Sequence, residues 1–162
     1  MILVLADTHV PERMAALPGK FLSRVSPGDV IFHAGDFVGW EALKELEGLA
    51  TVHGVRGNMD EPRIQKLLPE SKVVDLEGQR IALCHGSGSP HGLAERLSRE
   101  FKGRCDVLIF GHSHAPFNKK IGDILVFNPG SLSGNLVPPF GATYGVISIE
   151  GGDVWGEIHE IG

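Results

Sequence analysis

A chain of 162 residues with an apolar share of 42% is long enough for one domain, residues 1–162, built around a sizeable core. Its formal charge of −5 argues against a generic polyanion-binding surface, but a small phosphate ligand is still compatible because bound cations add local positive charge. No apolar run reaches membrane-span length, no basic segment precedes residues 2–6, and Cys84 and Cys105 make no disulfide framework, so a cytoplasmic setting without membrane contact is expected.

Residues 2–6 predict a strand that is apolar on both faces. A helical pattern follows over 12–24, limited by Pro11 and interrupted at Pro18-Gly19. Val30-Ile31-Phe32 predicts a second strand after the turn Ser26-Pro27-Gly28-Asp29. Residues 40–48 predict an amphipathic helix with Leu43 and Leu46 on one face. Residues 51–55 predict a third strand, and residues 61–68 a short helix with Pro62 placed early. Val73-Val74 and residues 80–84 predict neighbouring strands across Glu77-Gly78-Gln79. Residues 90–102 predict a helix with Leu93, Leu97 and Phe101 aligned, and residues 106–110 the clearest buried strand. Strands at 124–127, 142–149 and 153–158 close the chain, the last two as a hairpin. Alternating strands and helices followed by a run of strands predict an α/β domain with a mixed sheet or two packed sheets.

Chemistry collects where these strands end. Asp7-Thr8-His9, Gly35-Asp36, Gly57-Asn58-Met59-Asp60, His85-Gly86 and Gly111-His112-Ser113-His114 each follow an apolar run. Their carboxylate, imidazole and amide groups suit hard-to-borderline divalent metals. Asp-x-His in an extended chain, and two histidines one residue apart, would each turn both side chains the same way. Each block alone is an ordinary turn. All of them in succession predict a metal site.

These blocks resemble the calcineurin-like metallophosphoesterase superfamily: Asp-x-His, Gly-Asp, Gly-Asn-x-Asp, His and Gly-His-x-His. The chain's length and Asn128-Pro129-Gly130-Ser131 are similar to its small bacterial and archaeal phosphodiesterase branch. The resemblance implies two packed mixed β-sheets flanked by helices and two divalent metal ions. One ion would be held by Asp7, His9, Asp36 and His114, the other by Asp36, Asn58, His85 and His112, with Asp36 as the bridge. Asp36, Asn58 and His85 would serve catalysis. Manganese is favoured; nickel, zinc, iron and cobalt suit the same donors. The implied reaction is hydrolysis of a small organic or nucleotide phosphodiester by in-line attack of a metal-bridging hydroxide.

Many superfamily members carry histidine where this chain has Met59, whose thioether has no proton to give a leaving group. Asp60 is read either as a brace for the Asn58 loop or as the N-cap of the next helix. His33 is read as a buried, hydrogen-bonded histidine and Arg56 as a structural ion-pair partner. The segment Gly86-Ser87-Gly88-Ser89-Pro90 has the composition of a phosphate cradle. Asn128-Pro129-Gly130-Ser131 is read as a bracing turn. Phe117 and Phe140 are candidates for a pocket rim or interface. Cys84 is a minor alternative ligand, since alternation turns it away from His85's face.

The alternatives are a phosphomonoesterase, a nucleotide pyrophosphohydrolase, or a noncatalytic interaction scaffold such as the retromer subunit of this fold. A nucleic-acid substrate is disfavoured by the absence of a basic stripe. A homo-oligomer is compatible with the resemblance, but no interface is legible.

Overall fold

Ten strands form two five-stranded mixed sheets with helices on their outer faces in the computed structural model, which describes residues 1–134 and 141–162. Phe140 lies outside the described residues. The strands are β1 (Ile2–Leu5), β2 (Val30–His33), β3 (Thr51–Gly54), β4 (Ser71–Leu76), β5 (Gln79–Cys84), β6 (Val107–Ile109), β7 (Phe117–Ile121), β8 (Ile124–Asn128), β9 (Thr143–Glu150) and β10 (Asp153–Glu160). The helices are α1 (Gly19–Leu22), α2 (Trp40–Glu47), α3 (Pro62–Leu67) and α4 (Leu93–Glu100). One sheet runs β10-β9-β1-β2-β3 and the other β4-β5-β6-β8-β7.

Strand alternation explains the layers. Ile2, Val4 and Ala6 face inward and meet Ile81, Leu83, Val107, Ile109 and Phe127 of the opposite sheet. Leu3 and Leu5 face outward and pack with Phe21, Leu43, Leu46 and Ile64. Ala82, Leu108 and Val126 face the other way, onto Leu93, Leu97 and Phe101. Both faces of β1 are therefore buried, as its unbroken apolar run requires.

The site follows from strand direction. β1, β2 and β3 are mutually parallel, and so are β5, β6 and β8. Parallel strands end at one edge, where α/β sheets place their ligand sites. The blocks at Asp7, Asp36, Asn58, His85 and His112 are the continuations of β1, β2, β3, β5 and β6.

Two departures from expectation have simple causes. The helix predicted over 12–24 shortens to Gly19–Leu22, starting directly after Pro18, which lies in extended conformation. The strand β7 carries Asn118-Lys119-Lys120, with no apolar run to announce it. It is an edge strand, where lysines discourage further pairing. Phe117 begins it and packs edge-on against Phe110.

No described helix is long and apolar enough to cross a membrane.

Candidate metal centre

The β1 continuation is not extended, contrary to the expectation for Asp-x-His. Asp7 (φ 51°), His9 (φ 47°), Asp36 (φ 59°), His112 (φ 69°) and His114 (φ 59°) all lie in the left-handed region. That conformation costs a non-glycine residue of order 1 kcal/mol or more, and such residues gather at functional sites. Backbone bonds hold it here: the N–H of Asp7 donates to Gly35 O and that of His9 to Asp36 O, both at 3.0 Å. The turned backbone also separates the two histidines of the β6 block. His114 joins Asp7 and His9, whereas the ring of His112 lies 5.4 Å from that of His85.

The two buried carboxylates divide their oxygens alike. Asp7 Oδ2 accepts the N–H of His112 at 3.1 Å, and Asp36 Oδ1 accepts that of Met59 at 2.8 Å. Their other oxygens face imidazoles. Asp7 Oδ1 lies 3.4 Å from Nε2 of His114 and 3.9 Å from Nε2 of both His9 and His85. Asp36 Oδ2 lies 3.2 Å from Nε2 of His85 and 3.7 Å from that of His9, so it stands between the two halves of the cluster. Asn58 is exposed at the rim, with Oδ1 3.0 Å from His85 Nε2.

Two groups, Asp7–His9–His114 and Asp7–Asp36–His85, bring ligand atoms within 4.8 Å of one another. The donor set fits a cation on a further ground. Asp7 Oδ1 and both ring nitrogens of His9 are buried without a hydrogen-bond partner among the described residues, a costly state for polar atoms unless something else satisfies them. His85 Nδ1 lies 2.7 Å from Ala34 O and donates there, which leaves its Nε2 lone pair facing the carboxylates.

Electrostatics agree. Burial would raise the pKa of Asp7, but His114, His9 and His85 more than offset it and hold the carboxyl well below its ordinary range. Asp36 behaves likewise, with burial outweighed chiefly by His85. Burial depresses the pKa of His85, yet Asp36 and Asp7 lift it above the ordinary value. Cys84 is a buried free thiol packed with Leu93 and Leu97, and burial pushes its pKa up to about 12, so it contributes packing.

Bracing residues surround the centre. Asp60 accepts the N–H groups of Asp36, Val38 and Gly57; the cap of α3 is Glu61, so the N-cap reading of Asp60 is corrected. His33 is buried, stacks on Phe37 at 3.5 Å, lies 3.2 Å from Thr8 Oγ1 and accepts the N–H of Gly35. Arg56 donates to Gln65 O and Leu68 O, a structural role. Asn128 binds Gly111 O and Ser113 Oγ, and Ser131 binds Asp7 O, so that segment braces two ligand blocks. Ser133 joins Ser131 on the same carbonyl, and Arg96 donates to the carbonyls of Ser87 and Ser89. Neither was anticipated: Ser133 meets a carbonyl 126 residues away, and Arg96 meets carbonyls nine and seven residues before it only because the intervening turn folds back. A cavity of about 490 Å³ opens beside the centre, lined by Arg56, Asn58, His85, Ser87 and Arg96.

The sequence profile of the calcineurin-like phosphoesterase superfamily domain matches residues 1–152. The chain belongs to the calcineurin-like phosphoesterase superfamily. Within that superfamily it is 37% identical over 134 residues to a probable metallophosphoesterase of Methanothermobacter thermautotrophicus, covering 81% of this chain and 76% of the relative. Among solved structures it is similar to Vps29 of Entamoeba histolytica complexed with zinc (29% identity, TM-score 0.75, covering 98% of this chain and 97% of the other). It is also similar to a novel archaeal phosphodiesterase (26% identity, TM-score 0.70, covering 98% and 99%). Calcineurin-like phosphoesterases generally bind divalent metals, and the clustered donors here are candidates for that role.

Proposed function

We propose that this chain, acting as one domain, is a divalent-metal-dependent phosphodiesterase with a binuclear centre. The observation that carries the reading is the meeting of Asp7 Oδ1, Asp36 Oδ2 and three imidazole Nε2 atoms at the shared end of the parallel strands. Asp7, His9, Asp36 and His114 would hold one cation. Asp36, Asn58, His85 and His112 would hold the other, with Asp36 common to both. Manganese is the favoured ion; nickel, zinc, iron and cobalt suit the same donors. Bound cations would polarise phosphate oxygens and lower the pKa of a water to make a nucleophile.

The chain's own side chains do the rest. His85 is oriented by Ala34 O. Asn58, exposed at the rim, can offer its amide N–H to a phosphate oxygen. Met59 supplies no proton to the leaving group, which favours diesters whose leaving groups depart readily. The cavity bounded by Arg56 and Arg96 would receive the rest of a small organic or nucleotide diester. The likeness to an archaeal phosphodiesterase supports this class over a phosphomonoesterase or a nucleotide pyrophosphohydrolase.

The likeness to Vps29 favours a second reading, a noncatalytic scaffold of the same fold. Against it stands the full donor set. Turnover of bis(p-nitrophenyl) phosphate by purified, manganese-loaded protein separates the two: hydrolysis supports the enzyme, and its absence with every suitable metal supports the scaffold.

A further inference from the structure

Arg13 is exposed in the turn after β1, with Nη1 3.2 Å from Nδ1 of His114. A guanidinium has donors only and stays charged. The contact is therefore a hydrogen bond only when Nδ1 supplies its lone pair, and the neutral ring then carries its proton on Nε2, toward Asp7 Oδ1 at 3.4 Å. Metal ligation through Nε2 needs the other tautomer, with the proton on Nδ1. That proton would face the Arg13 donor, so the two uses of the ring exclude one another.

The residue before it acts oppositely. Glu12 Oε2 lies 3.8 Å from Nδ1 of His9, where a carboxylate favours the proton on Nδ1. The Nε2 lone pair of His9 is then left facing Asp7 and Asp36. Consecutive residues of one turn thus bias two candidate ligands in opposite directions.

We propose that Arg13 is a positioning residue that exchanges partners as the centre loads: it holds His114 by Nδ1 until Nε2 takes a cation, then turns its donors to a phosphate oxygen of the substrate. The guanidinium fork matches phosphate geometry. Arg56 and Arg96 line the cavity on the Asn58–His85 side, whereas Arg13 stands on the His9–His114 side. The inference rests on the reading that His114 ligates metal through Nε2.

Cobalt titration followed by visible absorption tests it on the full chain in wild type, Arg13→Ala, Arg13→Lys and His114→Ala. Removing one competing hydrogen bond should tighten cobalt binding in Arg13→Ala roughly 3- to 10-fold, while Arg13→Lys, also donor-only, stays nearer wild type. Inorganic phosphate should bind the cobalt-loaded Arg13→Ala protein several-fold more weakly than loaded wild type. Equal or weaker cobalt affinity in Arg13→Ala overturns the exchange. Tighter cobalt with unchanged phosphate affinity overturns the substrate half. Wild-type cobalt stoichiometry and spectrum in His114→Ala overturn the underlying ligand assignment, a result distinct from either.

Discussion

The Asp60 carboxylate accepts the backbone N–H of Asp36 at 3.1 Å, tying the loop after β3 to the loop after β2. It also takes the N–H groups of Val38 at 2.8 Å and Gly57 at 2.7 Å. Burial raises its pKa, and the charge on Asp36 adds to that, against these donors. Asp60→Asn keeps the shape but leaves one oxygen to serve three N–H groups. It should cost about 2–3 kcal/mol of stability in urea unfolding and weaken metal affinity about 10-fold or more, as loss of a ligand-supporting bond does.

Gly57 tests the closeness of those loops. A Cβ there would lie 2.1 Å from Asp36 Oδ1 and 2.5 Å from Asp36 N, so Gly57→Ala must push Asp36 aside. The expected result is a stability loss of about 1–3 kcal/mol with a marked loss of metal binding in calorimetric titration. Gly28→Ala, where a Cβ meets nothing within 4 Å, is the control and should leave metal binding unchanged.

His33 predicts a pH dependence. Burial lowers its pKa from 6.5 to about 3, so the folded state keeps it neutral where the unfolded chain takes up a proton. Between those values the unfolded state binds more protons, and the stability attributable to His33 falls as pH drops. The stability gap between wild type and His33→Gln should therefore narrow from pH 7 to pH 5, by about 2 kcal/mol. A gap that widens on acidification contradicts the assignment.

Met59 is 46% exposed, while its backbone N–H is fixed by Asp36. A histidine there would present an imidazole at the site's edge without disturbing the core. Met59→His should raise turnover of diesters with poor alkyl leaving groups, up to the roughly 10²–10⁴-fold that general acid catalysis can supply, and change aryl diesters little. The ratio of the two rates is the measurement.

The strand ends were legible because apolar runs announce strands and because parallel strands share an edge. The pattern of elements left one mixed sheet or two packed sheets open, and the resemblance to the superfamily chose two packed sheets flanked by helices, as observed. Less legible was how the ligand blocks turn. An extended Asp7-Thr8-His9 would aim both side chains alike, but left-handed residues, held by bonds to Gly35 O and Asp36 O, do the aiming instead. Residue type alone does not reveal such conformations outside glycine. The strand β7 escaped notice because its middle, Asn118-Lys119-Lys120, carries no apolar run. Ser133 and Arg13 gained their roles from partners far along the chain, which no local pattern encodes, and Arg96 from carbonyls that only the folded turn before α4 brings to it.

In the proposed hydrolytic centre, Asp36 links two cations. Steady-state hydrolysis of bis(p-nitrophenyl) phosphate by manganese-loaded wild type and Asp36→Asn, with metal content measured on the same samples, tests it most directly. Wild type should hydrolyse the diester, with bound manganese and kcat both sharply reduced in Asp36→Asn. Full activity in the variant, or metal-loaded wild type that hydrolyses nothing, would contradict it.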